Sequence, residues 1–169
     1  MSIANYENVL SNAERRAIRA GSRHTVVRIS DLAYLAASSR GKLELNMTEE
    51  AGQEDKLIGR IVDEAVKNVF DQTLKPGAFK NVVEFFEAGN ILETGDAISG
   101  AELLERMSGI RDFAKQAAAR AREMEPELAA GPFATELTAG VAELILEGLH
   151  CHNRLNKRSK AGGRLYGGA

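Results

Sequence analysis

Residues 54–74, EDKLIGRIVDEAVKNVFDQTL, decide the fold. Leu57, Ile58, Ile61, Val62, Ala65, Val66, Val69, Phe70 and Leu74 recur at three- and four-residue steps, one broad apolar stripe of the kind a helix turns toward a core. Pro76-Gly77 ends it, because proline has no N–H to donate and glycine favours a turn.

Working outward, the same period returns. Upstream, residues 2–20 carry Ile3, Tyr6, Val9, Leu10, Ala13, Ala17 and Ile18 on helical spacing, with Ser2 placed as N-cap and Gly21 as terminator. A β-like stretch, Thr25–Ile29, follows. Ser30 is placed to cap a short helix with Leu32, Tyr34 and Leu35, which Gly41 closes; Lys42-Leu43-Glu44-Leu45 then alternates like a strand. Downstream, residues 78–88 bring Phe79, Val82, Val83, Phe85 and Phe86 before Gly89-Asn90. Four of the six phenylalanines fall between 70 and 86, so the core is expected to be densest there.

Ile91–Asp96 reads as extended or loop, and Ser99 with Glu102 as a capping box opening a helix with Leu103, Leu104 and Met107. Ser108-Gly109 breaks that helix. An alanine-rich helix is expected over 110–125, a linker at Pro126 and Ala129-Ala130-Gly131-Pro132, and a last helix over 134–154 burying Leu137, Val141, Leu144, Ile145 and Leu149. Residues 157–169, Gly-rich and basic, read as a loosely held tail. The pattern predicts a mainly α fold, a multi-helix bundle of about seven helices with at most short extended segments. Small and polar residues near 46–53 divide the chain into segments 1–45, 46–156 and the tail 157–169.

Composition bounds the chemistry. The chain has 169 residues, 44% hydrophobic and 27% charged, with a formal charge of −2, so no global field favours nucleic acid or an acidic membrane. The one cysteine, Cys151, cannot close an internal disulfide, which suits a reducing compartment. No apolar run reaches the roughly 20 residues of a spanning helix, and residues 1–20 lack a signal peptide's apolar core, so a soluble cytoplasmic protein is expected.

There is no G-x-x-x-x-G-K-[ST] to cradle phosphates. His150-Cys151-His152 resembles a metal cluster, but neighbours on a helix diverge by about 100°, so the two imidazoles point about 200° apart and one ion could hardly take both. Acidic pairs such as Glu49-Glu50 and Glu54-Asp55 fit a solvated face. No catalytic, cofactor-binding or metal-binding residue is assigned.

Two basic clusters remain: Arg15, Arg16, Arg19, Arg23 and Arg28, and Arg154, Lys157, Arg158, Lys160 and Arg164. Tyr166 alone offers a ring for base stacking near the second, so nucleic acid is set aside. Arg15, Arg16, Arg28, Arg154, Lys157 and Arg164 are instead expected to contact another subunit or partner, since guanidinium grips carboxylate and phosphate bidentately.

Several stretches carry a resemblance. Ser2-Ile3-Ala4-Asn5-Tyr6-Glu7, Ala13-Glu14-Arg15-Arg16-Ala17 and Arg28-Ile29-Ser30-Asp31-Leu32 resemble the lid of AAA+ ATPases similar to magnesium chelatase subunit I and MoxR. Val83-Glu84-Phe85-Phe86-Glu87-Ala88-Gly89, Glu147-Gly148-Leu149-His150, Asn153-Arg154-Leu155-Asn156-Lys157 and Gly162-Gly163-Arg164-Leu165-Tyr166 resemble the C-terminal extension of bacterial members. The resemblance implies a non-catalytic lid and extension that contacts subunits and transmits ATP state to a partner. It implies that P-loop, Mg²⁺ site and arginine finger lie in an α/β core absent from these residues, with ATP and Mg²⁺ as cofactors of the full-length ring oligomer and no cofactor or catalysis in this chain alone. A protein client is implied but not identified. The alternative is a stand-alone helical interaction module unrelated to nucleotide.

Overall fold

The computed structural model describes residues 2–39, 53–160 and 162–169. The order is α1 Ser2–Arg19, α2 Leu35–Ser39, α3 Gln53–Thr73, α4 Lys80–Glu87, β1 Leu92–Gly95, α5 Gly100–Arg106, α6 Phe113–Met124, α7 Pro126–Ala130, α8 Ala134–Cys151, β2 Leu155–Lys160 and β3 Gly163–Gly168, with short 3-10 turns at Ile29–Tyr34, Pro76–Phe79 and Met107–Gly109. The mainly α reading holds. The strand expected at Lys42-Leu43-Glu44-Leu45, the stop at Gly41 and the boundary near 46–53 lie outside the described residues.

The last long helix is the axis of the fold. Every residue of α8 from Leu137 to Leu149 is buried, so it is enclosed on all sides rather than laid on a surface. α3, α5, α6 and α7 pack around it. Ala117 and Ala121 of α6 are fully buried, and small side chains there let two helix backbones approach closely. Phe70, Phe79 and Phe86 sit in the same cluster with Phe85 partly buried, so the aromatic-rich stretch joins the core but does not centre it.

Backbone chemistry sets the helix ends. α1 closes on Gly21 at φ 64°, with Gly21 N–H donating to Ile18 O and Ser22 N–H to Ala17 O. α8 closes the same way on Asn153 at φ 55°, with Asn153 N–H to His150 O and Arg154 N–H to Leu149 O. It therefore stops at Cys151, three residues short of the expected end. Ser99 caps α5 as expected, its hydroxyl accepting from Glu102 N–H at 3.2 Å. α6 begins only at Phe113, because Asp112 adopts a left-handed φ of 57°, and of the linker expected at Pro126 and Ala129-Ala130-Gly131-Pro132, Pro126, Ala129 and Ala130 belong to the short α7.

The tail reading is overturned. β2 and β3 form an antiparallel hairpin, and β1 adds to its far side in the order β1-β3-β2, with Leu92 opposite Tyr166 and Leu155 opposite Gly168. The Gly content that suggests flexibility serves close packing. A Cβ on Gly163 would stand 2.5 Å from Thr94 O, and one on Gly168 2.8 Å from Phe86 O. Thr25–Ile29 is corrected too: residues 24–28 join no strand, and Ile29 opens a 3-10 turn. Among the described residues, no helix is long and apolar enough to cross a membrane.

Candidate functional site

α8 carries Glu136, Gly140, Glu143 and Glu147 at steps of four, three and four, the spacing of one helix face. Within so apolar a helix this face would ordinarily be leucine. Here Glu143 and Glu147 are buried, and they face the irregular strap 22–28, the turn after it and the hairpin.

The strap supplies Arg28, buried against Glu143 with Nε 3.4 Å from Oε1. Its Nη2 donates to the carbonyl oxygens of Gly95, at 3.0 Å, and Ile98. Ser30 completes the Glu143 contact, its N–H donating at 2.7 Å and its hydroxyl at 3.1 Å. Burial pulls the Arg28 guanidinium down from its ordinary value, against the attraction of Glu143, and pushes the Glu143 carboxyl up, against Arg28 and Ser30. Both drift toward the neutral form; guanidinium holds its proton, so any proton shared by the pair resides on Glu143.

Arg16 of α1 is the second buried cation. It donates to Asp31 through Nη1 and to Val26 O at 2.6 Å through Nη2, with Glu136 Oε2 3.9 Å away. Asp31 is wholly buried and also accepts from Asn12 Nδ2 at 2.7 Å and from Arg28 N–H at 2.8 Å. That last bond makes Asp31, not Ser30, the residue that turns the chain into the 3-10 segment. The joint is not fully satisfied: Arg16 Nε, Arg28 Nε and Nη1, Thr94 Oγ1 and Glu136 Oε2 are buried without a hydrogen bond. Such an atom costs about 1–3 kcal/mol, so the joint specifies a geometry more than it adds stability.

Glu147 holds the hairpin. It accepts from Lys157 Nζ and Tyr166 OH, and Arg164 Nε lies 3.7 Å from it. Burial alone would raise its carboxyl, but the charges of Lys157 and Arg164 and the two hydrogen bonds outweigh that and hold it below the usual range. Tyr166, buried beside this carboxylate, has its phenol pushed well above the ordinary value, by burial first and by Glu147 second.

The six basic residues expected to reach a partner therefore divide. Arg16 and Arg28 are spent inside the molecule, at 2% exposure each, and cannot contact another chain in this conformation. Lys157 and Arg164 turn inward to Glu147, with side-chain exposures of 14% and 13%. The reason is the buried carboxylates, Asp31 in the 3-10 turn and Glu143 and Glu147 on α8, whose burial demands cations at those positions. Arg15 and Arg154 stay exposed; Arg15 lies 3.4 Å from Asp96 and stacks 4.8 Å over the ring of Tyr34. The signal for the acid face was in the sequence, as glutamates on core spacing within 134–154, and a count of apolar positions alone passes over it.

The histidines separate as the helical angle requires. His150 Nδ1 meets Leu155 O at 2.9 Å, while His152 Nε2 meets Asp71 Oδ1 at 2.6 Å on α3. Cys151 joins Asp63 and Glu147 in a group whose ligand atoms lie within 4.8 Å of one another. Lys157 Nζ contacts both carboxylates of that group, supplying its positive charge. Burial first, then Glu147 and Asp63, raises the Cys151 thiol to about 11, which makes it a poor nucleophile and a poor ligand at neutral pH.

Compared with known proteins, the chain matches no family model, no curated protein and no solved structure. The likeness to magnesium chelatase and MoxR-like ATPases rests on the sequence stretches quoted above.

Proposed function

We propose that the chain is a non-catalytic helical region that docks on another protein body, as the lid and extension of a magnesium chelatase- or MoxR-like ATPase does on its nucleotide-binding core. The observation that carries the docking is the orientation of α1. Its polar residues Asn12 and Arg16 are buried at 3% and 2%, whereas Ile3, Tyr6 and Ile18 are exposed at 74%, 67% and 78%. A surface helix ordinarily does the reverse. The buried bonds of Arg16 and Asn12 to Asp31 clamp α1 in this pose, so a load applied to its outer face passes through the strap to α8. α3 adds a second uncovered ridge: Leu57, Ile61 and Val69 are exposed while Ile58, Val66 and Phe70 are buried.

In this reading ATP and Mg²⁺ belong to the core, the cytoplasm is the compartment, and this chain moves as a unit with nucleotide state. The test mixes the chain with the α/β core of a magnesium chelatase-like ATPase from the same genome. Binding and a raised rate of ATP hydrolysis are expected. ATP turnover by this chain alone, or an unchanged core with no complex on gel filtration, would overturn the reading. Binding of a different protein without nucleotide dependence would favour a stand-alone interaction module.

A further inference from the structure

We infer that the outer stripe of α1 receives an apolar protein segment bordered by lysine or arginine side chains. The inference rests on the reading of α1 as a docking face and adds the chemistry of what it takes. At about 100° per residue, Ile3, Tyr6, Leu10 and Ala17 fall within a sector of about 60°. Ile3 and Tyr6 are mostly exposed, and Leu10 and Ala17 are half-buried. The inner edge of this sector turns to Ala13, buried at 1%, against the body of the protein. The solvent edge is lined by Glu7 and Glu14, two turns apart and both exposed. Neither is ion-paired among the described residues, although Arg15 and Arg16 beside them are.

A partner that covers the stripe must approach over these two carboxylates. Bringing apolar surface there strips them of water, which is unfavourable unless opposite charge arrives with it. A second copy of the chain is the poorer occupant. Two α1 helices laid antiparallel about the midpoint of Leu10 and Ser11 bring Glu7 of one against Glu14 of the other, like charge on like charge. The fitting occupant is a helix or strand with an aliphatic ridge and basic flank residues.

The test uses the whole chain and two synthetic amphipathic peptides with the same leucine ridge, one bordered by lysines and one by glutamates. Affinities are read by fluorescence anisotropy for four proteins: wild type, Ile3→Ser/Tyr6→Ser, Glu7→Lys/Glu14→Lys, and a control with the same charge change elsewhere, Glu105→Lys/Glu127→Lys. All these positions are exposed, so the fold is kept. Wild type is expected to favour the lysine-bordered peptide by about tenfold, from two charge contacts over an apolar contact. The Glu7/Glu14 variant should invert that preference, the control should keep it, and the Ile3/Tyr6 variant should lose both peptides. Equal binding of the two peptides, a preference that survives reversal of Glu7 and Glu14, or one the control pair also abolishes would overturn the inference. So would a dimer by sedimentation that the Ile3/Tyr6 change dissolves. If the ATPase core still binds the Glu7/Glu14 variant at full strength, the charge inference fails and the docking reading stands. If it binds the Ile3/Tyr6 variant at full strength, the docking reading fails.

Discussion

Arg28 and Glu143 meet in the interior of the protein, Nε 3.4 Å from Oε1, at side-chain exposures of 0% and 1%. Neither charge has an exit to water, so each is tolerable only because the other is there. This makes the pair a lock on the position of the strap more than a source of stability.

Glu143→Leu should therefore destabilise strongly, by about 3–5 kcal/mol, since it leaves Arg28 buried and uncompensated. Pairing it with Arg28→Met should recover much of that loss, because two apolar side chains of similar volume can replace a buried ion pair at little net cost. Urea unfolding of the two single variants and the double gives the coupling directly. Additive losses would show that the charges are not energetically linked.

The two buried glutamates predict opposite pH dependences. Glu147 has a folded pKa below its unfolded one, so its contribution is present above about pH 4.3 and disappears as pH falls through the folded value. Glu143 has a folded pKa above its unfolded one, so its contribution is full below about pH 4.3 and is lost as pH rises through the folded value. Denaturation midpoints across pH should show a loss on the acid side that Glu147→Gln removes. They should also show a loss above the ordinary carboxylate range that Glu143→Gln removes. A flat difference between wild type and either variant would contradict the corresponding shift.

How far the sequence foretold this structure depends on what each segment spends its residues on. Helices 54–74 and 78–88 are legible because apolar side chains at helical spacing, Ile58, Val66, Phe70 and Leu74 in the first and Phe79, Val82 and Phe86 in the second, do face the core, even though Leu57, Ile61 and Val69 of the same stripe stay exposed. α1 has the same periodicity and is a helix, but the face that packs carries Asn12 and Arg16 beside Ala13 while Ile3, Tyr6 and Ile18 stay outside; period reveals a helix without revealing which side is covered. The hairpin was hidden because glycines at 163 and 168 and lysines at 157 and 160 carry none of the β-branched alternation that marks a strand. Its order comes from Tyr166, Leu155 and the bonds of Lys157 to Glu147, all contacts distant in sequence. The same long-range chemistry turned Arg16 and Arg28 from expected contacts into internal ones.

Cys151 offers a chemical check on the surroundings of Glu147. With its thiol at about 11, a free cysteine's thiolate fraction at pH 7.5 is cut by about two powers of ten. Alkylation by iodoacetamide should be slow in the native protein and return to the ordinary rate in urea. Glu147→Gln removes one of the two carboxylates that raise the thiol, so it should speed the native reaction. Fast alkylation of the native wild type would mean that burial and the carboxylates of Glu147 and Asp63 do not hold the thiol in its protonated form.

Gly148 packs directly on the ring of Phe70, where α8 crosses α3. A Cβ built on Gly148 would stand 2.0 Å from Phe70 Cδ2 and 2.3 Å from Cγ, well inside any real contact. Gly148→Ala, which raises helix propensity elsewhere, should here cost about 1–3 kcal/mol by forcing the two helices apart. Gly59→Ala on α3 is the matched control: a Cβ there meets nothing within 4 Å, so the change should add about 0.5–1 kcal/mol of stability. Combining Gly148→Ala with Phe70→Leu should recover part of the loss, because the smaller side chain leaves room for the new methyl while keeping the site apolar. Thermal unfolding of the three variants beside wild type separates these effects. A Gly148→Ala protein as stable as the Gly59→Ala one would mean that α3 and α8 do not approach this closely.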